Sequence, residues 1–346
     1  MKIRLLLVIS LFGLLPLPLS AITVNGLYQT SVVVADESAA VRVEAMQQAM
    51  QEVLVKLSGN SNIATVSGAE EIIGRAQQFV QQFRYKQAGT TKSGIQGETE
   101  LQVKFDETAL NNEIRNYALP LWGQERPAVL VWMALDNGVG RNIVSLEDNP
   151  DIIDTVDATA VARGIPLLFP LMDLEDTARM NVSDLWGDFE QPIAAASARY
   201  QSDAIAVGRI TQGGAAGWQS QWTLYMDQQV SRWSTENTDV SLALEEAINL
   251  LADALAERYA NSGSSGAELF EIAVSNIMTH DDYARTLTYL ESLQSVTQVV
   301  VKTVMPEQVK FELVIHGGQD ALDRAIRLGN VLKQSGQQRY VLQDGF

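Results

Sequence analysis

The residues of this chain that could do chemistry are few and scattered. Histidine occurs twice, as His280 and His316. A shared metal is conceivable, since both lie in the last segment. One opens a helix, however, and the other ends a strand before Gly317-Gly318, and neither has ligand-like spacing. Two exposed or packing histidines are the plainer reading. Asp148, Asp151, Asp154 and Asp157 recur at every third position. They lack the Asp-x-Asp-x-Asp-Gly order and the closing bidentate Glu of a calcium loop. Acidic residues at a helix start are favoured by the helix dipole, which explains them without a metal. Gly138-Val139-Gly140 follows a strand, but Asn142 and Ile143 stand where a dinucleotide fingerprint would continue, so that reading fails. Gly213-Gly214 and Gly217 suit a hairpin turn better than a phosphate cradle. The chain has no Gly-x-Ser-x-Gly elbow. A Ser-His-Asp arrangement would have to form in the last segment, where both histidines are. Paired carboxylates carry no sequence signature, and with 42 Asp and Glu chance pairs are common. No catalytic, cofactor-binding or metal-ligating residue is therefore expected, and no cofactor.

Aromatic residues supply the remaining candidates. Trp218, Trp222, Tyr225 and Trp233 cluster around a β-hairpin in the stretch Ala204–Tyr259. Trp218, Trp222, Leu224 and Met226 share one strand face; Gln219, Gln221, Thr223 and Tyr225 share the other. The indoles suit either a sugar or peptidoglycan platform or packing under the hairpin. The weight of aromatic residues in cores favours packing. The hairpin's outer edge stays open as a binding surface, because an edge strand can accept a partner strand.

Those elements belong to the middle of three modules. The first spans 22–127. Ile22 to Val34 reads as a strand with Gly26 as a possible bulge. Asp36-Glu37-Ser38 opens a helix on which Val41, Ala45, Ala49, Val53 and Leu57 share a face, with Gly59 at its end. A second helix is expected from about Gly68 to Gln82, and an alternating strand over Glu98–Phe105. Asp106 caps a short helix to Tyr117. Pro120, Gly123 and Pro127 punctuate the boundary.

The second module spans 128–260. AVLVWMALD is a continuous apolar run, as for a strand covered on both faces. A helix from Asn149-Pro150, the strand PLLFPLMD, helical material over 181–200 and a strand at 204–210 make an α/β unit with parallel strands. A hairpin and a helix over Val240–Tyr259 close it. Residues 261–267 form a Gly/Ser linker. The third module, 268–346, reads as ferredoxin-like βαββαβ, with Thr279 to Asp282 as a capping box and a second helix over Asp320–Lys333. The fold class is thus α/β and α+β in three small modules.

Residues 1–21 read as a signal peptide. Lys2 and Arg4 precede an apolar run from Leu5 to Leu15, broken by Pro16 and Pro18, with cleavage expected near Ala21. The run is too short for a comfortable membrane span; an uncleaved anchor is the alternative. Cysteine is absent, so there is no disulfide, no thiolate site and no cysteine to carry a lipid. The net charge of −17 argues against nucleic acid as a partner. These features fit a periplasmic protein with no transmembrane segment once the signal is cleaved.

Four segments carry a resemblance. LYQTSVVVADESAAVRVEAMQQAMQEVLVKLSGN, Gln82-Phe83-Arg84-Tyr85, LQVKFDETALNNEIR and LPLWGQERPAVLVWMALD together resemble a family of exported Gram-negative proteins, domain of unknown function family 2066. The family has no established activity, so the resemblance implies only an envelope-associated protein. The α/β pattern is also similar to the small N-terminal domains of periplasmic translocation and assembly factors. The expected function is non-enzymatic binding of an envelope protein or cell-wall component. A carboxylate-dependent hydrolase acting on cell wall or sugar, and a small-molecule sensor at the sheet edge near Asp136-Asn137 and Asp173, are the alternatives.

Overall fold

A computed structural model describes residues 22–87, 98–213, 217–260 and 267–343. Residues 1–21, where a signal peptide is expected, the Gly-rich stretch 89–97 and residues 261–266 of the expected linker lie outside the described residues. Three modules follow in chain order, as the sequence pattern predicts.

In the first module, β1 (Ile22–Thr23) and β2 (Gln29–Val34) replace the single expected strand. Gly26 turns the chain between them at φ 79°. Helix α1 (Ala39–Ser58) starts where the Ser38 side chain accepts from the Val41 amide. It ends where Gly59 enters the left-handed region at φ 69°. Its face Ala45, Ala49, Val53 and Leu57 is fully buried. The second expected helix is shorter than the pattern implies. Helix α2 (Ala69–Gly74) and a 3-10 turn over Ala76–Phe79 give way to β3 (Val80–Gln87). Phe83 and Tyr85 pair across from Val103 and Leu101 of β4 (Thr99–Phe105). Helix α3 (Glu107–Asn116) is capped by Asp106, whose carboxylate accepts from the Ala109 amide. The sheet order is β2-β4-β3, and β5 (Glu125–Arg126) pairs with β1.

The second module is a six-stranded sheet between helices. Strand β6 (Val129–Asp136) is buried along nearly its whole length, as a strand covered on both faces must be. It pairs antiparallel with β7 (Arg141–Ile143), and α4 (Pro150–Arg163) follows. The expected strand PLLFPLMD shrinks to β8 (Leu167–Leu168), which runs parallel to β6. Pro170 has no amide hydrogen to donate to a ladder, which limits the strand. Short helices α5 (Leu174–Arg179), α6 (Val182–Trp186) and α7 (Glu190–Ser197) lead to β9 (Ala204–Gly213), parallel to β6. The hairpin of β10 (Gly217–Met226) and β11 (Gln229–Asn237) then turns the sheet antiparallel, and α8 (Val240–Tyr259) closes the module. The order is β11-β10-β9-β6-β7. One face packs Val131, Met133, Ala206 and Trp222 against α4 and α8. The other packs Leu130, Trp132 and Val207 against α6 and α7.

In the third module, β12 (Glu268–Ser275), α9 (His280–Ser292), β13 (Val296–Met305), β14 (Gln308–Ile315) and α10 (Gly318–Leu328) follow the expected order. Thr279 and Asp282 do form the capping box of α9. Helix α10 stops at Leu328, short of Lys333. A further strand β15 (Leu332–Gly336) turns back into β16 (Arg339–Leu342). In the order β13-β14-β12-β16-β15 the βαββαβ succession runs to β15, and the additional strand β16 is inserted between β12 and β15, parallel to β12 and antiparallel to β15.

The boundary at 120–127 is a packed junction rather than a loose connection. The last carbonyls of α1 have no partner within the helix. The boundary segment and α4 supply donors: Arg126 Nη2 to Lys56 O (2.6 Å), the Trp122 amide to Leu57 O (2.6 Å) and Arg163 Nη2 to Gly59 O (2.6 Å). Arg126 also donates through Nη1 to the α4 end carbonyls of Arg163 and Gly164. Its guanidinium lies 4.2 Å from the Trp122 ring centroid. Burial pushes its pKa down to about 9, which leaves it charged at neutral pH. Arg163 continues the seam to Asp253 on α8 (2.6 Å), and Ser61 donates to that same carboxylate.

Gly59 lies in this seam. A Cβ there would come within 2.2 Å of the Ala256 Cβ and 2.9 Å of the Trp122 ring. Gly59→Ala is expected to lower stability by about 3 kcal/mol, from the left-handed backbone and the collision together. Chemical denaturation checks this; a loss below about 1 kcal/mol would mean that the seam gives way easily.

Candidate functional site

The hairpin places the four predicted aromatic residues in three different settings. Trp222 is 1% exposed. Its ring stacks on Trp233 with centroids 6.4 Å apart and planes 8° apart, because the two residues face each other across the hairpin. Beneath Trp222 lies Gly208, where a Cβ would meet the indole at 2.8 Å. The indole N–H donates to Ser220 Oγ (2.9 Å), which in turn is bonded to Thr235 Oγ1 (2.7 Å). Trp233 is half-buried and donates to the Ala247 carbonyl of α8 (3.1 Å). Trp218 is half-buried at the margin of the same cluster. Tyr225 points to the opposite sheet face. Its hydroxyl donates to Asp188 Oδ1 (2.7 Å), and burial, then this carboxylate, raise its pKa to about 12. Thr223 Oγ1 also donates to Asp188, and Arg232 lies 3.4 Å from it. The structure thus brings Trp218, Trp222 and Trp233 together on the α8 side and separates Tyr225 from them.

What stays open is the outer edge of β11, the terminal strand of its sheet. The hairpin turns on Asp227 and Gln228, both at positive φ (47° and 65°), the conformation of a two-residue primed turn. Met226 and Gln229 then form a hydrogen-bonded pair, and pairing alternates along the ladder. Ser231, Trp233 and Thr235 therefore bond to β10. Val230, Arg232, Ser234 and Glu236 turn their backbone N–H and C=O groups outward. All four are exposed, and among the described residues no hydrogen bond reaches those groups. The edge was legible from the alternation on β10. Its polarity was not, since that depends on the turn register.

Other candidates are tied into structure. Asp136 pairs with Arg141 (2.9 Å), whose guanidinium stacks on Trp186 at 4.1 Å. Asp173 caps α5 and receives both Nη groups of Arg199 (2.8 and 2.9 Å). Gly138-Val139-Gly140 is the β6–β7 turn. Asp148 accepts from Ser145, Asp151 sits in the first turn of α4, and Asp154 and Asp157 are exposed. His280 is the exposed first residue of α9, and the His316 amide donates to the Ser295 carbonyl. Among the described residues no group of three or more His, Asp or Glu is placed to hold a metal ion. No helix among them is long and apolar enough to cross a membrane.

These ion pairs set a pH dependence. Hydrogen bonds from Arg199, Arg141 and Arg75 hold Asp173, Asp136 and Glu113 below the usual carboxylate range. A lowered folded pKa adds stability in full above the unfolded value of about 4, and that stability is lost as pH falls below it. Burial raises Asp203 and Glu125, which work in the opposite sense but are fewer. The urea midpoint is expected to hold steady between about pH 6 and 5 and to fall below about pH 4. A midpoint that rises on acidification contradicts this.

Comparison with known proteins adds little. Residues 21–123 match a family described as "Domain of unknown function (DUF8605)". It bears a different number from the family that the sequence resembles, and its description mentions neither export nor a bacterial group. No curated protein matches the chain. A solved structure described as "Crystal structure of uncharacterized protein" is 9% identical and covers 39% of this chain and 89% of its own, with a TM-score of 0.16. A likeness that slight says nothing of the fold.

Proposed function

We propose that this chain is a non-enzymatic, partner-binding protein of the bacterial cell envelope, exported to the periplasm, and that it takes an extended strand of its partner on the outer edge of β11. The observation that carries this reading is the row of outward backbone groups at Val230, Arg232, Ser234 and Glu236 on a nine-residue terminal strand. Such an edge gives affinity through main-chain hydrogen bonds. Charged side chains such as Arg232 and Glu236 keep it from pairing indiscriminately. Export is supported by Lys2 and Arg4 before the apolar run Leu5–Leu15. The hydrolase alternative needs two facing carboxylates between modules. Among the described residues, the groove between the first and second modules has no acidic residue in its lining, which favours the binding reading.

Ser234→Pro tests the site. The Ser234 amide points away from β10, so proline there removes an outward donor and leaves the ladder intact. Recovery of the partner on affinity purification is expected to fall about tenfold with stability unchanged. Full recovery with S234P would rule out strand addition at this edge.

A further inference from the structure

A second surface, independent of β11, lies between the first two modules. A groove of about 870 Å³ runs along β2 and the outward face of the first sheet, with the C-terminal end of α4 as its other wall. Strand register sets that face. Gln29, Lys104 and Gln82 lie in one row across the sheet, and Ser31, Gln102 and Arg84 in the next. Lys56 reaches in from α1, its ammonium donating to the Gln29 carbonyl (3.0 Å). Val161 and Ala162 of α4 make the facing wall apolar.

The charge of this groove is opposite to that of the chain. Among the described residues it holds Lys56, Arg84 and Lys104 and no acidic residue, in a protein of net charge −17. Elsewhere Arg75, Arg141, Arg163, Arg199 and Arg258 each meet a carboxylate. Arg84 instead uses Nε on Gln102 Oε1 (2.7 Å), and both Arg84 and Lys104 are exposed. Glu52, one turn before Lys56, is occupied by Thr30 and Gln48, and Glu100 lies one row further along, opposite Lys86; neither lines the groove.

The groove also borders a free strand edge. The Phe105 amide donates to the Tyr28 carbonyl, which fixes the ladder register between β4 and the start of β2. Thr30, Val32 and Val34 therefore bond inward, and Ser31 and Val33 turn their backbone groups outward. We propose that this groove receives an extended acidic peptide segment of a partner, whose carboxylates meet Arg84, Lys104 and Lys56 while its backbone runs beside β2 and its apolar side chains rest on α4. Charge speaks against the chain's own segments 1–21 and 88–97 as occupants, since each carries Lys or Arg and no acidic residue.

Fluorescence anisotropy on the full chain tests this, with a labelled eight-residue peptide alternating Glu and Val and its Gln/Val counterpart. The Glu peptide is expected to bind. Its affinity should fall about tenfold or more between about 0.05 and 0.5 M salt, and equally in Arg84→Glu/Lys104→Glu, both exposed positions that spare the fold. Lys333→Glu, on the third module, should leave binding unchanged. Equal binding of the Gln peptide, no binding of either, or retention in the double variant would overturn the proposal. Displacement of the peptide by inorganic phosphate at matched charge would overturn it in favour of a small anion. Self-association of the wild type that the double variant abolishes would overturn it in favour of a second copy.

Discussion

Replacing Arg126 by methionine is expected to remove about 4 kcal/mol of unfolding free energy, a large share of what a chain of this kind has to spare. The side chain is 0% exposed and, among the described residues, pairs with no carboxylate. Its donors go to five backbone carbonyls: Lys56, Trp122, Gly123, Arg163 and Gly164. Lys56 lies in the last turn of α1, and Arg163 and Gly164 are the last residue and the C-cap of α4, so one cation sits between the negative ends of two helices. Methionine has similar bulk and no donor. It would strand those carbonyls in a junction already closed to water and remove the cation over the Trp122 ring. Lysine has three donors from one atom and cannot reproduce the fork, so Arg126→Lys is expected to cost roughly half as much. Urea denaturation followed by tryptophan fluorescence reads both. A loss below about 1 kcal/mol for Arg126→Met would show that the two modules are held by their apolar contacts alone.

The second large effect is at Trp222. Trp222→Ala is expected to cost about 4 kcal/mol, because the ring fills the space between Gly208, Trp233 and α8 and nothing nearby can collapse into it. Trp222→Phe should cost roughly half: most of the volume is kept, but the indole donor to Ser220 is lost. Trp233→Ala is expected to fall between the two, since that ring is only half-buried. This series separates packing from recognition. An indole that served as a sugar platform could be truncated with loss of binding and no loss of stability. A stable Trp222→Ala with impaired binding would therefore move the functional surface from the strand edge to the rings.

Local signals were read well from the sequence because their causes are local. Ser38 and Gly59 bound α1, Asp106 caps α3, and Thr279 with Asp282 caps α9, each through contacts within a few residues. The apolar run 128–135 identified a strand covered on both faces, because no other setting suits it. Strand β3 was hidden because Ile72, Ala76, Phe79 and Phe83 also satisfy a helical period, and only pairing with β4 decides between the two. Strand β15 was hidden in the tail of α10 for a similar reason: Leu332 and Lys333 continue a helical pattern until the partner β16 is known. The arginine seam left no trace in the sequence. Arg126 and Arg163 act on backbone carbonyls, and a carbonyl carries no side-chain signature. The cationic groove was half legible, since Gln102 and Lys104 alternate with buried residues. Its charge emerges only when Arg84 and Lys56 are brought beside them.

The central claim is that β11 carries the partner, and site-specific photo-crosslinking in living cells tests it most directly. A photoreactive residue at Ser234, on the open edge, is compared with one at Asp154, an equally exposed position on α4. The expected result is a discrete crosslinked species from Ser234, in the periplasmic fraction, and none from Asp154. No discrete species from Ser234, or the same species from both positions, would contradict the account.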